Sequence, residues 1–198
     1  RKSIYKMWQY LPKLSFYPTL VYNVLLEKVT SRAWYTRIDG TVLVGALPFR
    51  SMTKTLVENE GVKGVVTMNE DYELKRFVNT PEEWKESGVT QLKLTTVDLI
   101  AAPSQVDLKK GVDFILEHRA RSESVYVHCK AGRTRSATVA VCYLMTAYNW
   151  TPTEAINKLK SQRPHVWLRK PQLDSIDCFY KENFDKSCSI GLYVITLH

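Results

Sequence analysis

The chain has 198 residues, 44% hydrophobic and 24% charged, with 28 Lys and Arg against 20 Asp and Glu, a formal net charge of +8. This composition excludes a disordered, collagen-like or coiled-coil chain and provides for one domain with a real core plus an extra segment. The positive excess favours anionic partners: phosphate esters, nucleic acid or an acidic membrane surface.

The chain begins at Arg1, not Met, and is expected to be a fragment or a processed form. Its first stretch, RKSIYKMWQYLPKLSFYPTLVYNVLLEKVTSRAWYTRID, mixes basic and aromatic residues. Leu20, Val21, Val24, Leu25 and Val29 follow helical spacing over Pro18–Lys28, and Pro18 suits a first helical turn. The apolar run is too short and interrupted to span a bilayer. Such a helix either packs on the domain or lies on a membrane surface, with Trp8, Tyr10, Phe16 and Tyr17 near the headgroups.

Beyond it, strand and helix signals alternate. A strand is predicted over Thr41–Val44 after the Asp39-Gly40 turn, and a helix over Ser51–Asn59 with Ser51 as cap. Val62–Met68 reads as a buried strand, Pro81–Glu86 as a helix start, and Thr90–Leu94 as a strand with Leu92 and Leu94 on one face. A helix follows over Ser104–His118, carried by Val106, Val112, Ile115 and Leu116. Val125–Val127 is a strand, and Ser136–Tyr148, Thr153–Gln162 and Pro171–Phe184 are helices. Strands alternating with helices, then helices in succession, imply an α/β fold around a mostly parallel central sheet.

Four cysteines, Cys129, Cys142, Cys178 and Cys188, show neither CxxC pairing nor zinc spacing, so reduced thiols are expected. Cys142 sits on an apolar helix and reads as core. Cys129 is different. It follows the strand Val125–Val127 and His128, and it precedes Lys130, Ala131, Gly132, Arg133 and Thr134, with Arg135 opening the next helix. Successive backbone N–H groups of such a loop can form a nest for an anion, aided by the positive end of the helix. Gly132 permits a backbone conformation that other residues resist. The Arg135 fork can hold two phosphoryl oxygens, and a thiol in that field is expected to be thiolate at neutral pH.

His128, Cys129, five residues (KAGRT), Arg135 and Ser136 match the signature of the cysteine-dependent phosphatases. The resemblance implies that Cys129 attacks phosphorus, that Arg135 and the loop amides hold the equatorial oxygens, and that Ser136 assists the sulfur as leaving group. His128 is expected to brace the loop rather than act as a base. The family's general acid is an Asp on a separate loop, and LTTVDLIAAPS offers Asp98, with Asp107 and Asp113 assigned to the following helix. No metal and no cofactor are expected, because the cationic loop replaces one.

HCKAGRTRSAT, TVLVGALPFRSMTKTLV, GVKGVVTMNEDYE and EEWKESGVTQLKLTTVD together resemble the mitochondrial protein-tyrosine-phosphatase-like lipid phosphatases, the phosphatidylglycerophosphatases, within the dual-specificity superfamily. The similarity runs from about Trp34 to Phe184. It implies the dual-specificity fold and removal of the terminal phosphate of phosphatidylglycerophosphate. This is a step towards cardiolipin, on the matrix face of the mitochondrial inner membrane. The implied partners are an anionic phospholipid substrate and a peripheral membrane contact, with no nucleic acid. The surplus charge of Lys130 and Arg133 suits a substrate with a second phosphate, or simply raises the field at Cys129. Glu70, Asp71, Tyr72 and Glu73 resemble an acidic-tyrosine motif of the same family; they either position loop arginines or form a solvated turn. Asp71 stands where the family often has Glu, and Thr134 where Ser is expected.

The expected organisation is a basic, aromatic extension over 1–33, a phosphatase domain over 34–186 and a tail over 187–198, whose sequence SCSIGLYVITLH has no expected counterpart. Rival readings are a tyrosine or dual-specificity protein phosphatase, a phosphoinositide phosphatase, a phosphate-binding pseudoenzyme and a rhodanese-like sulfurtransferase.

Overall fold

Short runs rich in valine build the centre of the sheet: Val42–Gly45 (β2), Val62–Thr67 (β3) and Ser124–His128 (β5). Strands β2 and β5 are buried along their whole length, as expected for parallel strands covered on both faces. Tyr35–Arg37 (β1) and Thr90–Lys93 (β4) form the edges. The computed structural model, which describes residues 16–26, 29–30, 32–97 and 101–185, orders the strands β1-β2-β5-β3-β4. Only β1 runs antiparallel, against β2; every other pairing is parallel. The C-terminal ends of β2, β5 and β3 therefore reach one edge together, where open α/β sheets place their ligands.

Side chains alternate across β5. Val125 and Val127 join one core with Leu108, Ile115 and the Ala137–Met145 run, and Tyr126 joins a second core with Leu43, Val65, Trp34 and Trp84. The first core is covered by Gln105–Ala120 (α4), Arg135–Tyr148 (α5), Pro152–Gln162 (α6) and Lys170–Phe184 (α7). Helix α5 is buried from Arg135 to Met145, and each fully buried Val or Leu on it contributes about 1.5–3 kcal/mol. Ser104 caps α4 and Thr151 caps α6, each accepting from the backbone N–H three residues on. Two short helices, Asp71–Leu74 (α2) and Pro81–Glu86 (α3), follow β3.

Two details differ from the sequence reading. Strand β1 had no periodic signal. The predicted Ser51–Asn59 helix is a 3-10 turn over Arg50–Met52 and a π-helical turn over Thr55–Asn59, closed by Glu60 N–H to Thr55 O at 3.1 Å. Ser51 lies inside the first turn and caps nothing, because Phe49 occupies the cap position and stacks on Trp34 with ring centroids 5.1 Å apart.

Residues 16–26 are helical (α1). Phe16 and Leu20 are buried in the second core, whereas Tyr17, Val21, Tyr22 and Leu25 are exposed. The helix thus packs on the body by one edge and leaves an apolar face outside.

Candidate active site

The loop from Cys129 to Thr134 leaves β5 at the centre of the sheet and enters α5. A trans peptide holds its C=O and N–H on opposite sides. On the outer side of the loop every carbonyl from Lys130 to Arg133 is taken. Lys130 O accepts from Leu47 N–H at 3.4 Å and Arg133 O from Trp167 N–H at 2.9 Å. Gly132 O accepts from Arg163 Nε at 2.8 Å and Ala131 O from Arg163 Nη2 at 3.4 Å. The N–H groups of Ala131, Gly132, Arg133 and Thr134 are thereby turned to the concave side, beside the open N–H groups of the first turn of α5. Gly132 has φ +63°, and a Cβ there would come within 2.6 Å of Gly45 O.

Cys129 is buried at the floor of this nest, and its Sγ lies 3.3 Å from Ser136 Oγ. His128, fully buried, pairs Nε2 with Thr67 Oγ1 at 2.9 Å. Burial, then the charge of Arg135, pushes its pKa down to about 3, so the ring is neutral at pH 7. Lys130 Nζ lies 5.9 Å from the Phe16 ring of α1, a cation–π approach.

Arg135 and Glu73 meet below the surface. Nη1 donates to Glu73 Oε2 at 2.9 Å and Nη2 to Oε1 at 3.1 Å; Nη1 also reaches Thr96 O at 3.0 Å and Met68 O at 3.3 Å. The rest of the acidic stretch diverges. Glu70 precedes α2, and its N–H donates back to Glu73 Oε2. Asp71 faces solvent, pairs with Lys93, and has its carboxyl held below the usual range by that ammonium. Tyr72 meets the Phe16 ring edge-on at 5.8 Å, and burial, then Glu73 and Glu70, raises its hydroxyl pKa. Of the four, the structure brings Glu73 to the loop arginine and turns Asp71 away.

Asp98 lies outside the described residues. The chain on either side of it is fixed: Thr96 O accepts from Arg135, and Ala101 O accepts from Gln172 Nε2 at 3.1 Å. Gln172 is itself buried at the start of α7. Asp107 and Asp113 belong to α4, where Asp107 N–H is capped by Ser104 and Asp113 pairs with Lys109.

The sequence reading missed three residues. Arg163 is 1% exposed and, among the described residues, has no carboxylate partner; it donates to the loop carbonyls, to Ala33 O and Trp34 O, and to Thr36 Oγ1. Burial lowers its pKa to about 10, so it stays charged. Trp167 and Arg169 join Cys129, Arg133 and Thr134 around one pocket, which Tyr22 of α1 closes from the other side. No local periodicity marks these three, because their roles depend on where α6 and α7 return to the loop.

Such a nest holds a tetrahedral oxyanion, and a thiol at its floor is placed to attack the central atom. Cysteine-based phosphatases are the class defined by this arrangement. The chain belongs to the dual-specificity phosphatase family: residues 51–181 match the model described as "Dual specificity phosphatase, catalytic domain". It is a phosphoric monoester hydrolase. Phosphatidylglycerophosphatase and protein-tyrosine phosphatase 1 of Mus musculus is 49% identical over 87% of this chain and 91% of its own. Phosphatidylglycerophosphate phosphatase PTPMT1 of Arabidopsis thaliana is 39% identical over 83% of this chain and 48% of its own. A crystal structure of PTPMT1 in complex with PI(5)P aligns with a TM-score of 0.74 at 50% identity, covering 76% of this chain and 96% of that one.

Proposed function

We propose that this phosphatase removes the terminal phosphate of phosphatidylglycerophosphate to give phosphatidylglycerol, at an anionic membrane. Cys129 attacks phosphorus, forming the S–P bond as the P–O bond breaks. Arg135 and the loop amides hold the three equatorial oxygens. Asp98 donates its proton to the leaving alkoxide. It then takes one from the water that attacks phosphorus, and inorganic phosphate leaves as the thiolate is restored. Support for Asp98 comes from its neighbour: Thr96 O bonds to Arg135, and two residues reach at most about 7 Å. Ser136 stabilises the departing sulfur, and neutral His128 braces the loop rather than exchanging protons.

The single observation that carries the lipid reading is α1. It closes the pocket with Tyr22 while leaving Tyr17, Val21 and Leu25 exposed, and the whole chain carries +8. An apolar face beside a cationic pocket suits a substrate whose headgroup is anionic and whose tails stay in a bilayer. Among the described residues no helix is long and apolar enough to cross a membrane, and the proposed contact is a peripheral one through the exposed face of α1. The names of the mouse and Arabidopsis relatives support the same substrate. The compartment is the mitochondrion, at the matrix face of the inner membrane in the cardiolipin pathway. The domain proper runs over 34–186, with 1–33 as extension and 187–198 as tail. A phosphoinositide is the second reading, favoured by the PI(5)P complex of the relative.

The test is phosphate release, side by side, from phosphatidylglycerophosphate vesicles, phosphoinositide vesicles and a phosphotyrosine peptide, with Cys129→Ser as blank. Preference for phosphatidylglycerophosphate is expected. Preference for the peptide would overturn the lipid assignment and leave the cysteine chemistry standing.

A further inference from the structure

A second cleft lies on the outer side of the nucleophile loop. Arg32, Arg133, Arg163 and His165 line it, with Asn23 of α1 on one side and Ala131 of the loop on another. It is open to solvent, and among the described residues no carboxylate lines it. The pocket of Cys129 is a different space: Arg32, Arg163 and His165 do not line it, although the two share Asn23, Ala131 and Arg133. Arg163 donates to the Gly132, Ala131, Ala33 and Trp34 carbonyls and to Thr36 Oγ1, so dipoles surround its buried charge. Arg133 Nε donates to His165 O at 3.0 Å, which ties that guanidinium to the wall of the cleft.

Three guanidiniums about one cleft repel one another, and an anion among them relieves all three. The repulsion shows at each neighbour. Burial first, then Arg32, lowers the pKa of Arg133. Burial first, then Arg163, Arg32 and Arg133, lowers His165 to about 4. At Arg163 burial dominates; Tyr126 and Cys129 offset part of it, and Arg133 and Arg32 add to it. Guanidinium forks suit phosphate oxygens, and the phosphate that reacts already has its own nest on the other side of the loop. The approach to the cleft indicates where a further phosphate comes from. Leu25 and Val29 are 55% and 75% exposed, and Arg32 follows three residues after Val29. Apolar side chains next to a cationic cleft are the arrangement of a segment that lies at an anionic bilayer.

We propose that the cleft of Arg32, Arg133, Arg163 and His165 binds the phosphodiester of a bilayer phospholipid other than the one being hydrolysed, and so seats the nucleophile loop at the membrane surface. This rests on the membrane contact of α1 and not on which monoester is cleaved. Arg32, Arg133 and His165 meet the headgroup. Arg163, buried behind them, adds its field while it holds the Ala131 and Gly132 carbonyls, so it is a positioning residue for the loop.

The experiment follows the His165 ring by NMR titration. Monomeric dihexanoylphosphatidylglycerol is expected to raise its pKa by about half a unit or more, because an anion favours the imidazolium. Arg32→Gln is expected to remove most of that rise; Arg32 does not line the pocket of Cys129, so a diester bound there would shift the variant as much as the wild type. An unmoved His165, or an equal rise in Arg32→Gln, would overturn the site. An equal rise with inorganic phosphate at the same concentration would make it a site for free phosphate and overturn the lipid assignment. On vesicles containing phosphatidylglycerol, Arg32→Gln is expected to weaken binding by about threefold or more. The control is Arg121→Gln, which removes the same charge at the end of α4; equal weakening by both would reduce the effect to net charge and overturn the docking role. Failure of the substrate assignment is seen separately, in phosphate release, and leaves the His165 titration unchanged.

Discussion

Arg135 and Glu73 carry opposite charges at 1% and 0% side-chain exposure. A guanidinium removed from water is tolerated because the carboxylate accepts from both terminal nitrogens and two backbone carbonyls accept from Nη1. Glu73→Gln keeps the volume but removes the counter-charge. It is expected to destabilise the fold by about 3–5 kcal/mol in chemical denaturation and to lower kcat on an aryl phosphate by on the order of tenfold or more, as Arg135 loses its position. Stability and kcat both near wild type would show that the carbonyls alone hold the arginine. The sequence narrowed this partner to a short acidic stretch but did not single it out. On a helix each residue turns about 100°, so Asp71 and Glu73 point to opposite sides, and only the docking of α2 decides which one is buried. Arg163 gave no signal at all, since its partners Ala131 and Gly132 lie some thirty residues away.

At the scale of elements, the alternation of strand and helix was legible because valine-rich runs and helically spaced apolar residues announce themselves locally, as in Val62–Thr67 and in α4. Strand β1 was not, because three residues are too few to show a period and its pairing with β2 is tertiary. The restraint on the chain between β4 and α4 was not legible. That segment is fixed at Thr96 by Arg135 and at Ala101 by Gln172, while Ser175 Oγ donates to Pro103 O at 3.1 Å. Helix α7 thus holds the far side of the segment that carries Asp98. Gln172→Ala frees one end. If Asp98 is the acid, the loss should fall on substrates whose leaving alkoxide needs a proton: roughly tenfold or more on an alkyl phosphate and much less on a nitrophenyl phosphate. Equal loss on both, measured as kcat/KM under one condition, would separate the loop from proton donation.

The molecule as a whole carries groups whose protonation differs between folded and unfolded chains, and their signs set a pH window for stability. His128 and His165 ordinarily titrate near 6.5; burial first, then neighbouring arginines, lowers them to about 3 and about 4. Below 6.5 the unfolded chain therefore binds protons that the folded chain refuses, and stability falls as pH drops towards those values. His128, fully buried, contributes a slope of up to about 1.4 kcal/mol per pH unit in that range; His165, half-exposed, contributes less because solvent screens it. At the alkaline end the sign reverses. Burial raises the Cys142 thiol above its usual 9.0, and it raises the Tyr126 and Tyr143 hydroxyls above 10.0. Above pH 9 the unfolded chain releases protons that the folded chain keeps, so stability falls again. The thermal midpoint is expected to be highest between about pH 6.5 and 9 and to decline on both sides. His165→Asn should make the acid limb shallower, because one of the two refused protons is removed. Melting followed by circular dichroism from pH 4.5 to 10.5 reads both limbs. A midpoint that stays level down to pH 4.5 would mean that the buried imidazoles take up protons in the folded chain, and that His128 is not the neutral brace beneath the loop.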